Sequence, residues 1–402
     1  MSDLDSTRAT FRSWLHLPDT GALDAVLATV AANRLGGDPV WLLLVGPPGG
    51  GKSELLNAIT RLEDAHPAGT LTEASLLSGT PKREHDAAAK GGLLRSIGDY
   101  GIIVAKDFGS VLNMNRDARA QLLAALREVY DGAWTRHVGT DGGKTLAWNG
   151  KVGLIGGCTP TIDRHHAVMG AMGERFILYR LPEVDPDVQA REALGHAGRE
   201  RQMRSELATA VETLFAGAAT EARERTEAET QRLIALATLV VRARSAVERD
   251  GYSREIELVP GPEAPTRLVI VLDRMLAGLD AIGTTRADAW QVVTKLALDS
   301  VPALRLNVLY TLLPGSADTN AVATAVRHPA QTTRRALEDL TAHGLVEVER
   351  QGEGKAHLWS LSLFARARLE NLSRNVVEHA EREIKGLSGD PDISGTVAEA
   401  LA

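Results

Sequence analysis

Cysteine and long apolar runs are both scarce in this sequence of 402 residues. The single cysteine, Cys158, excludes an intrachain disulfide and a zinc site built from several cysteines, and it is typical of a reducing compartment. The longest apolar runs, such as WLLLV and LIALATLVV, are far shorter than the ~20 residues that cross a bilayer. The first residues, MSDLDSTRATFRSW, lack the basic and apolar parts of a secretion signal. We therefore expect a cytoplasmic protein that does not enter a membrane.

The sequence also has no excess of basic residues. It contains 45 lysines and arginines and 52 acidic residues, which gives a net charge of -7. A protein with this balance has no global positive field that would attract nucleic acid. Any nucleic-acid partner must therefore be bound by a local surface. The length is enough for two or three globular domains.

The order of apolar patterns predicts an α/β domain followed by helices. Strand-like runs (VWLLLVG, YGIIVA, KVGLIGG) alternate with helical stretches from Val40 to Pro182, which indicates a parallel sheet covered by helices. From about Val188 to Ser300 the pattern is helical, broken once at VPGPEAPTR. Residues 302–362 then give three helical segments and two strand-like runs around QGEGK, the order of a winged helix-turn-helix.

These patterns divide the chain into five parts. They are an N-terminal helical segment (1–39), an α/β nucleotide-binding domain (40–184), a helical lid domain (185–300), a winged helix-turn-helix (301–362), and a C-terminal helix with a polar tail (363–402).

A phosphate-binding loop is the most specific motif in the chain. The segment LLLVGPPGGGKSELL places a glycine-rich loop ending in Lys-Ser between an apolar strand and a helix, which is both the P-loop pattern and its required context. Loop amides and Lys52 can hold the phosphates of ATP, and the Ser53 hydroxyl can bind Mg²⁺. The predicted nucleotide-contacting residues are Gly46, Pro47, Pro48, Gly49, Gly50, Gly51, Lys52, Ser53 and Glu54.

Beyond this loop the chain resembles the AAA+ ATPase superfamily, in the helix-2-insert branch that includes the minichromosome-maintenance helicases. The resemblance runs from about Val40 to Ser300 through the order of motifs. GLIGGCTPTID is similar to a sensor-1 strand end, which implies Thr159 near the γ-phosphate. MGERFILYRLP is similar to the arginine-finger segment, which implies that Arg175, with Arg180 as a competitor, reaches a neighbouring subunit. EAPTRL resembles a sensor-2 segment and implies Arg267. The implied fold is an α/β P-loop NTPase core.

The segment YGIIVAKDFGS resembles the Walker B region but departs from its Asp-Glu pair. Hydrolysis needs one carboxylate on the metal side and a second that orients water. Either Asp107 is the metal-side acid and Phe108 replaces the glutamate, or Lys106 replaces the metal-side acid and Asp107 stands in place of the glutamate. Both registers stay open from the sequence, and we expect ATP binding with slow or conditional turnover.

Two segments are candidate nucleic-acid contacts. AWTRHVGTDGGKTLAWNGKV reads as a β-hairpin that resembles the pre-sensor-1 hairpin of ring-shaped relatives; an ordinary surface hairpin is the alternative. AQTTRRALEDLTAHG reads as a recognition helix and RQGEGK as a wing, although winged helices also dock proteins. The predicted contacts are Arg136 and Lys144 in the hairpin, Gln331, Thr332, Thr333, Arg334 and Arg335 in the helix, and Arg350 and Lys355 in the wing.

Three functions fit these motifs. The first is an oligomeric ATPase, a ring such as a hexamer, that works on DNA in the manner of a helicase or remodeller. The second is a nucleotide-gated DNA-binding regulator with little hydrolysis, which the Lys-Asp-Phe sequence favours. The third is a loader or scaffold that acts on a protein partner.

Overall fold

The computed structural model describes residues 2–78, 91–139, 143–166, 175–219, 223–351 and 356–372. Its helices are α1 (Asp3–Trp14), α2 (Gly21–Arg34), α3 (Lys52–Ala58), α4 (Glu73–Leu76), α5 (Leu93–Ile97), α6 (Gly109–Leu112), α7 (Arg116–Tyr130), α8 (Pro186–Gly195), α9 (Glu200–Ala216), α10 (Glu227–Arg244), α11 (Thr266–Ala281), α12 (Arg286–Asp299), α13 (Ala303–Thr311), α14 (Thr319–Val326) and α15 (Ala330–Ala342). Its strands are β1 (Trp41–Val45), β2 (Ala65–Pro67), β3 (Tyr100–Ala105), β4 (Ala133–Val138), β5 (Lys144–Asn149), β6 (Lys151–Cys158), β7 (Phe176–Arg180), β8 (Glu248–Arg249), β9 (Ile256–Leu258), β10 (Ala317–Asp318), β11 (Val346–Glu349) and β12 (Leu358–Leu361).

The chain forms two compact units, the first of Met1–Leu233 with Pro265–Ser300 and the second of Ile234–Ala264 with Val301–Ala402. The mixed α/β class with a parallel sheet and many helices is confirmed. The finer division into five parts stays a prediction.

The first unit is built on a five-stranded parallel sheet in the order β2-β3-β6-β1-β7. All five residues of β1 are buried, as expected for a strand covered on both faces. Trp41, Leu43 and Val45 belong to one core cluster with α7 residues such as Leu126 and Val129. Helix α2 is also almost wholly buried and packs against α11.

Gly278 allows α11 to approach α2 closely. A Cβ at this position would lie 2.2 Å from the Ala28 carbonyl oxygen, a separation that real Cβ atoms do not reach. The two helix backbones can therefore pack this tightly only with glycine at the crossing.

The second unit combines α13, α14 and α15 with an antiparallel sheet in the order β10-β12-β11, and it also contains the β8–β9 hairpin. The sequence predicted the helices and the last two strands. It missed β8, β9 and β10 because runs of two or three residues carry no readable period. The pattern of residues 185–300 indicated helices, but the structure also has strands β8 and β9 in this region. Within the described part of the chain, no helix has the length and apolar character that crossing a membrane requires.

Glu229 of α10 should stabilise the first unit in a pH-dependent way. Its carboxylate accepts a hydrogen bond from Arg286 at 2.6 Å, and this contact lowers the pKa of Glu229 from 4.5 to about 2. A carboxyl whose pKa falls on folding stabilises the protein above its unfolded pKa, and the contribution is lost as the pH falls through its folded pKa. We expect Glu229→Gln to lower the urea midpoint at pH 7, and the difference from the parent to shrink between about pH 4.5 and pH 2.

The matched control is Glu227→Gln, which changes an exposed glutamate of the same helix that accepts a hydrogen bond from Gln231 at 2.7 Å. A constant difference between Glu229→Gln and the parent across this pH range would contradict the prediction.

Candidate functional site

The predicted nucleotide residues collect at one edge of the parallel sheet. In the sheet register Val45 of β1 lies beside Cys158 of β6 and Arg180 of β7, while Ala105 of β3 lies beside Gly156. Strands β3, β6, β1 and β7 therefore end within about two residues of each other, and the segments that follow them share the carboxyl edge. Such an edge is where open α/β sheets place their ligands.

The loop after β1 has the backbone conformation that the glycines predict. Gly49 and Gly51 have φ of 78° and 82°, in the left-handed region that L side chains rarely adopt. A Cβ at either position would meet no heavy atom within 4 Å, so the requirement for glycine is conformational and not a matter of space. The open space above these residues is compatible with a bound phosphate group.

Lys52, the first residue of α3, folds back over this loop. Its Nζ donates hydrogen bonds to the carbonyl oxygens of Gly46 at 2.8 Å and Pro47 at 2.7 Å. Burial lowers the pKa of Lys52, while the nearby Asp107 carboxylate acts in the opposite direction. The ammonium group thus sits within the loop, and Asp107 lies in its electrostatic range.

The residues after β3 divide into two exposed and one buried. Lys106 and Asp107 are exposed, whereas the Phe108 side chain is fully buried and its ring centroid lies 5.0 Å from that of Phe176. The Phe108 N–H donates to the Gly157 carbonyl at 2.7 Å, which fixes this turn against β6. A ring in the core cannot orient a water molecule, so the polar groups available at this strand end are one ammonium and one carboxylate.

The remaining loop residues point in different directions. Ser53 and Asp107 are both exposed, and hydroxyl and carboxylate oxygens are of the kind that Mg²⁺ prefers, beside water and phosphate. Glu54 instead turns toward α9, where Arg204 binds it at 2.8 Å and is the main cause of its lowered pKa. Thr159 follows β6 directly, and its Oγ1 lies 2.6 Å from that of Thr161.

Arg180 at the end of β7 is held within its own chain. Its guanidinium forms a double hydrogen bond with Asp163, at 2.7 and 2.9 Å, and its Nε donates to the Asp299 carbonyl at 2.9 Å. Neighbouring Cys158 is buried, and this burial raises the pKa of its thiol to about 12. Arg180 therefore lies at the nucleotide edge of its own subunit, which does not suit it as a competitor of Arg175 for a neighbour's site.

Arg175 lies at the opposite, amino edge of the sheet. It directly precedes β7, is 6% exposed, and bonds Asp131 at 2.8 Å over the ring of Tyr130. Burial raises the pKa of Tyr130 to about 12, and the charges of Arg267 and Arg175 both act against this rise, so Arg267 lies within electrostatic range of Tyr130. Neither is brought next to Lys52.

A cavity of about 410 Å³ adjoins Arg175 at this amino edge. Its charged lining residues include Glu73, Arg127, Glu128 and Asp131. Glu128 and Asp131 thus lie beside Arg175, which precedes β7, and away from Asp107, which follows β3 at the carboxyl edge. Among the described residues, no group of three or more His, Cys, Asp or Glu side chains is arranged to hold a metal ion.

The β4–β5 hairpin forms as expected, with Trp134 paired to Trp148 and both rings buried. Arg136, however, is not a free cation near the hairpin end, because it bonds Glu73 at 2.9 Å and the Leu77 carbonyl at 2.6 Å. Its assignment as a nucleic-acid contact stays a prediction, which requires this ion pair to open. Lys144 is half-buried at the start of β5, and residues 140–142 of the turn lie outside the described residues.

On α15 the predicted contact residues fall on two faces. Gln331, Thr332 and Arg334 are exposed and Arg335 is half-buried. Thr333 has no exposed surface, which corrects its prediction as a contact: it faces the core with Ala336 and Leu337, one helical turn along.

The wing is only partly described. Arg350 is exposed at the end of β11, whereas Lys355 lies outside the described residues.

No sequence pattern signals two of the charge clusters in the structure. Arg180–Asp163 joins residues 17 positions apart, and Arg249 of β8 bonds Asp339 of α15 across 90 positions. Single arginines and aspartates carry no spacing rule, so only the folded chain brings these pairs together.

Comparison with known proteins gives weak likenesses. No protein-family model matches the chain, and no curated protein matches it. A homodimeric winged helix-turn-helix DNA-binding domain from Mycobacterium bovis is 29% identical over 21% of this chain and 74% of its own, with a TM-score of 0.17. NtrX from Brucella abortus in complex with ADP is 14% identical over 84% of this chain and 72% of its own, with a TM-score of 0.29. The NrS-1 C-terminal region is 14% identical over 89% of this chain and 75% of its own, with a TM-score of 0.25. TM-scores this low do not establish a shared fold.

Proposed function

We propose that this protein is an AAA+ ATPase that binds MgATP at the carboxyl edge of its parallel sheet and works as a DNA-associated oligomer. The observation that carries the proposal is the placement of Lys52. It lies in a glycine loop with two left-handed residues, at the same sheet edge as Asp107 and Thr159. Bound Mg²⁺ would neutralise charge on the phosphate oxygens. Ser53 would hold the metal ion, and Lys52 would hold the phosphates.

The proposed register at β3 makes Asp107 the group that acts on water. Because Phe108 is buried, the two exposed residues Lys106 and Asp107 take the places of the usual acid pair. Asp107 then orients the attacking water, and Lys106 supplies a fixed positive charge where a metal-side carboxylate is expected. With one acid in place of two, turnover is slow.

A nucleotide-gated DNA-binding regulator is the second candidate. The observation that favours this candidate is the exposed Lys106 directly after β3, because its ammonium group can hold phosphate without promoting hydrolysis. The ATPase rate with and without duplex DNA separates the two candidates. DNA-stimulated turnover supports the enzyme, and ATP-dependent DNA binding without turnover supports the regulator.

The assembly part of the proposal assigns Arg175 to a neighbouring subunit's nucleotide. Its position at the amino edge, away from its own Lys52, suits action in trans, and the ion pair with Asp131 would open on assembly. A heterologous interface that closes into a ring pairs each carboxyl edge with a neighbour's amino edge.

Mixing subunits tests this assignment. We expect Arg175→Ala and Lys52→Ala to be inactive separately. An equal mixture should recover about one quarter of the parent rate, since half of the subunits keep Lys52 and half of their neighbours keep Arg175. ATP binding by Arg175→Ala serves as the control for folding. A mixture as inactive as its components would contradict action in trans.

A further inference from the structure

Helix α15 carries both signs of charge, but its acids are bound by arginines. Asp339 is bound by two, Arg249 at 2.6 Å and Arg305 at 2.8 Å, and its side chain is only 15% exposed. Glu338 bonds Arg249 at 3.1 Å and Arg334 at 3.0 Å. The negative charge of the helix is therefore largely compensated on the side that faces these arginines.

Arg249 also fastens the β8–β9 hairpin to this helix. Besides the two acids, its guanidinium donates to the carbonyl oxygen of Arg254 in the hairpin turn at 2.8 Å and to that of Arg335 in α15 at 3.1 Å. Because one planar guanidinium joins both carbonyls, they lie within about 8 Å of each other. The side chain of Arg249 is 9% exposed, so the contact between hairpin and helix is largely shielded from water.

The exposed charge of the hairpin is predominantly negative. Four carboxylates are exposed against the single exposed arginine, Arg254; they belong to Glu248, Asp250, Glu255 and Glu257. The Asp250 carboxylate accepts hydrogen bonds from the Tyr252 and Ser253 N–H groups within the turn. The other three acids are not needed for bracing α15, which depends on the buried Arg249. Their charge acts outward, on whatever approaches the helix.

We propose that the β8–β9 hairpin is an electrostatic gate that opposes binding of the DNA backbone to α15. Arg334 shares the Glu338 carboxylate with Arg249, which bonds the hairpin turn at Arg254. A phosphate held by Arg334 would therefore lie near that turn, where charges interact over roughly 8 to 10 Å at moderate salt. The carboxylate of Glu255, next to Arg254, then repels it. Contact with DNA is thereby weakened until the hairpin moves or its charge is compensated. This inference rests on the proposed DNA contact of α15.

Neutralising the hairpin tests the gate. We compare the full chain with Glu255→Gln/Glu257→Gln, using a fluorescent duplex of roughly 30 base pairs, about three helical turns. At roughly 50 mM salt we expect the double variant to bind about 3- to 10-fold more tightly, because each exposed charge pair contributes modestly. The difference should shrink at roughly 300 mM salt, where screening is stronger.

The matched control is Glu63→Gln/Glu224→Gln, which removes two exposed carboxylates from the first unit and thus the same net charge. We expect its affinity to equal that of the parent. If the hairpin variant binds no better than this control while the parent binds DNA, the gate is overturned and the proposed DNA contact stands. If neither the parent nor any variant binds the duplex at low salt, the DNA contact and the gate are both overturned.

Discussion

Lys52→Ala should lower the affinity for ATP by roughly 10- to 100-fold, the range expected for losing a hydrogen bond to a charged group. The physical reason is local. The Nζ atom already sits within bonding distance of two loop carbonyls, so it needs only a small movement to meet phosphate oxygens above Gly49 and Gly51. Without it, the loop offers amides but no full charge to offset the triphosphate. Equilibrium binding of a fluorescent ATP analogue measures the effect.

Lys144→Ala is the matched control for this variant. It removes a partly buried lysine on β5, outside the carboxyl edge, and should leave ATP affinity unchanged. Equal affinities for the parent and Lys52→Ala would remove the basis of the proposed function, because Lys52 is the observation on which that proposal rests.

The sequence could predict the parts of this site that depend on adjacent residues. The P-loop has a spacing rule and a strand and helix on either side, so Lys52 and Ser53 could be identified directly. The order of apolar runs likewise predicted β1, β3 and β6, because each strand is buried along its length.

Other parts depend on contacts between distant residues, which no local pattern reports. Thr333 and Arg334 are adjacent polar residues, yet they lie on different faces of α15, so the first is buried and the second is exposed. Nothing near Arg136 in the sequence indicates a partner, yet in the fold this residue of β4 forms an ion pair with Glu73 of α4. The register that we propose for Lys106 and Asp107 also depends on the fold, because it rests on the burial of Phe108 against Phe176.

Asp107→Asn should lower the ATPase rate by about 10²- to 10⁴-fold, the usual contribution of a positioned acid or base. An amide keeps the shape of the side chain and loses the negative charge that orients water. ATP affinity should change far less, because Lys52 and the loop are untouched. Single-turnover hydrolysis beside equilibrium ATP binding separates the two effects, and Asp117→Asn, an exposed aspartate in the first turn of α7, controls for the lost charge.

Lys106→Asp should change the ATPase rate in the opposite direction. It creates a pair of adjacent carboxylates at the exposed end of β3 and replaces an ammonium group that competes with the metal for phosphate oxygens. We expect faster turnover than in the parent, with stronger dependence on Mg²⁺, provided that Asp107 is intact. If Asp107→Asn hydrolyses ATP at the parent rate, Asp107 does not act on water, and the proposed register is wrong. If neither the parent nor Lys106→Asp hydrolyses ATP while both bind it, the chain is a nucleotide-gated regulator, because the strand end then holds phosphate without activating water.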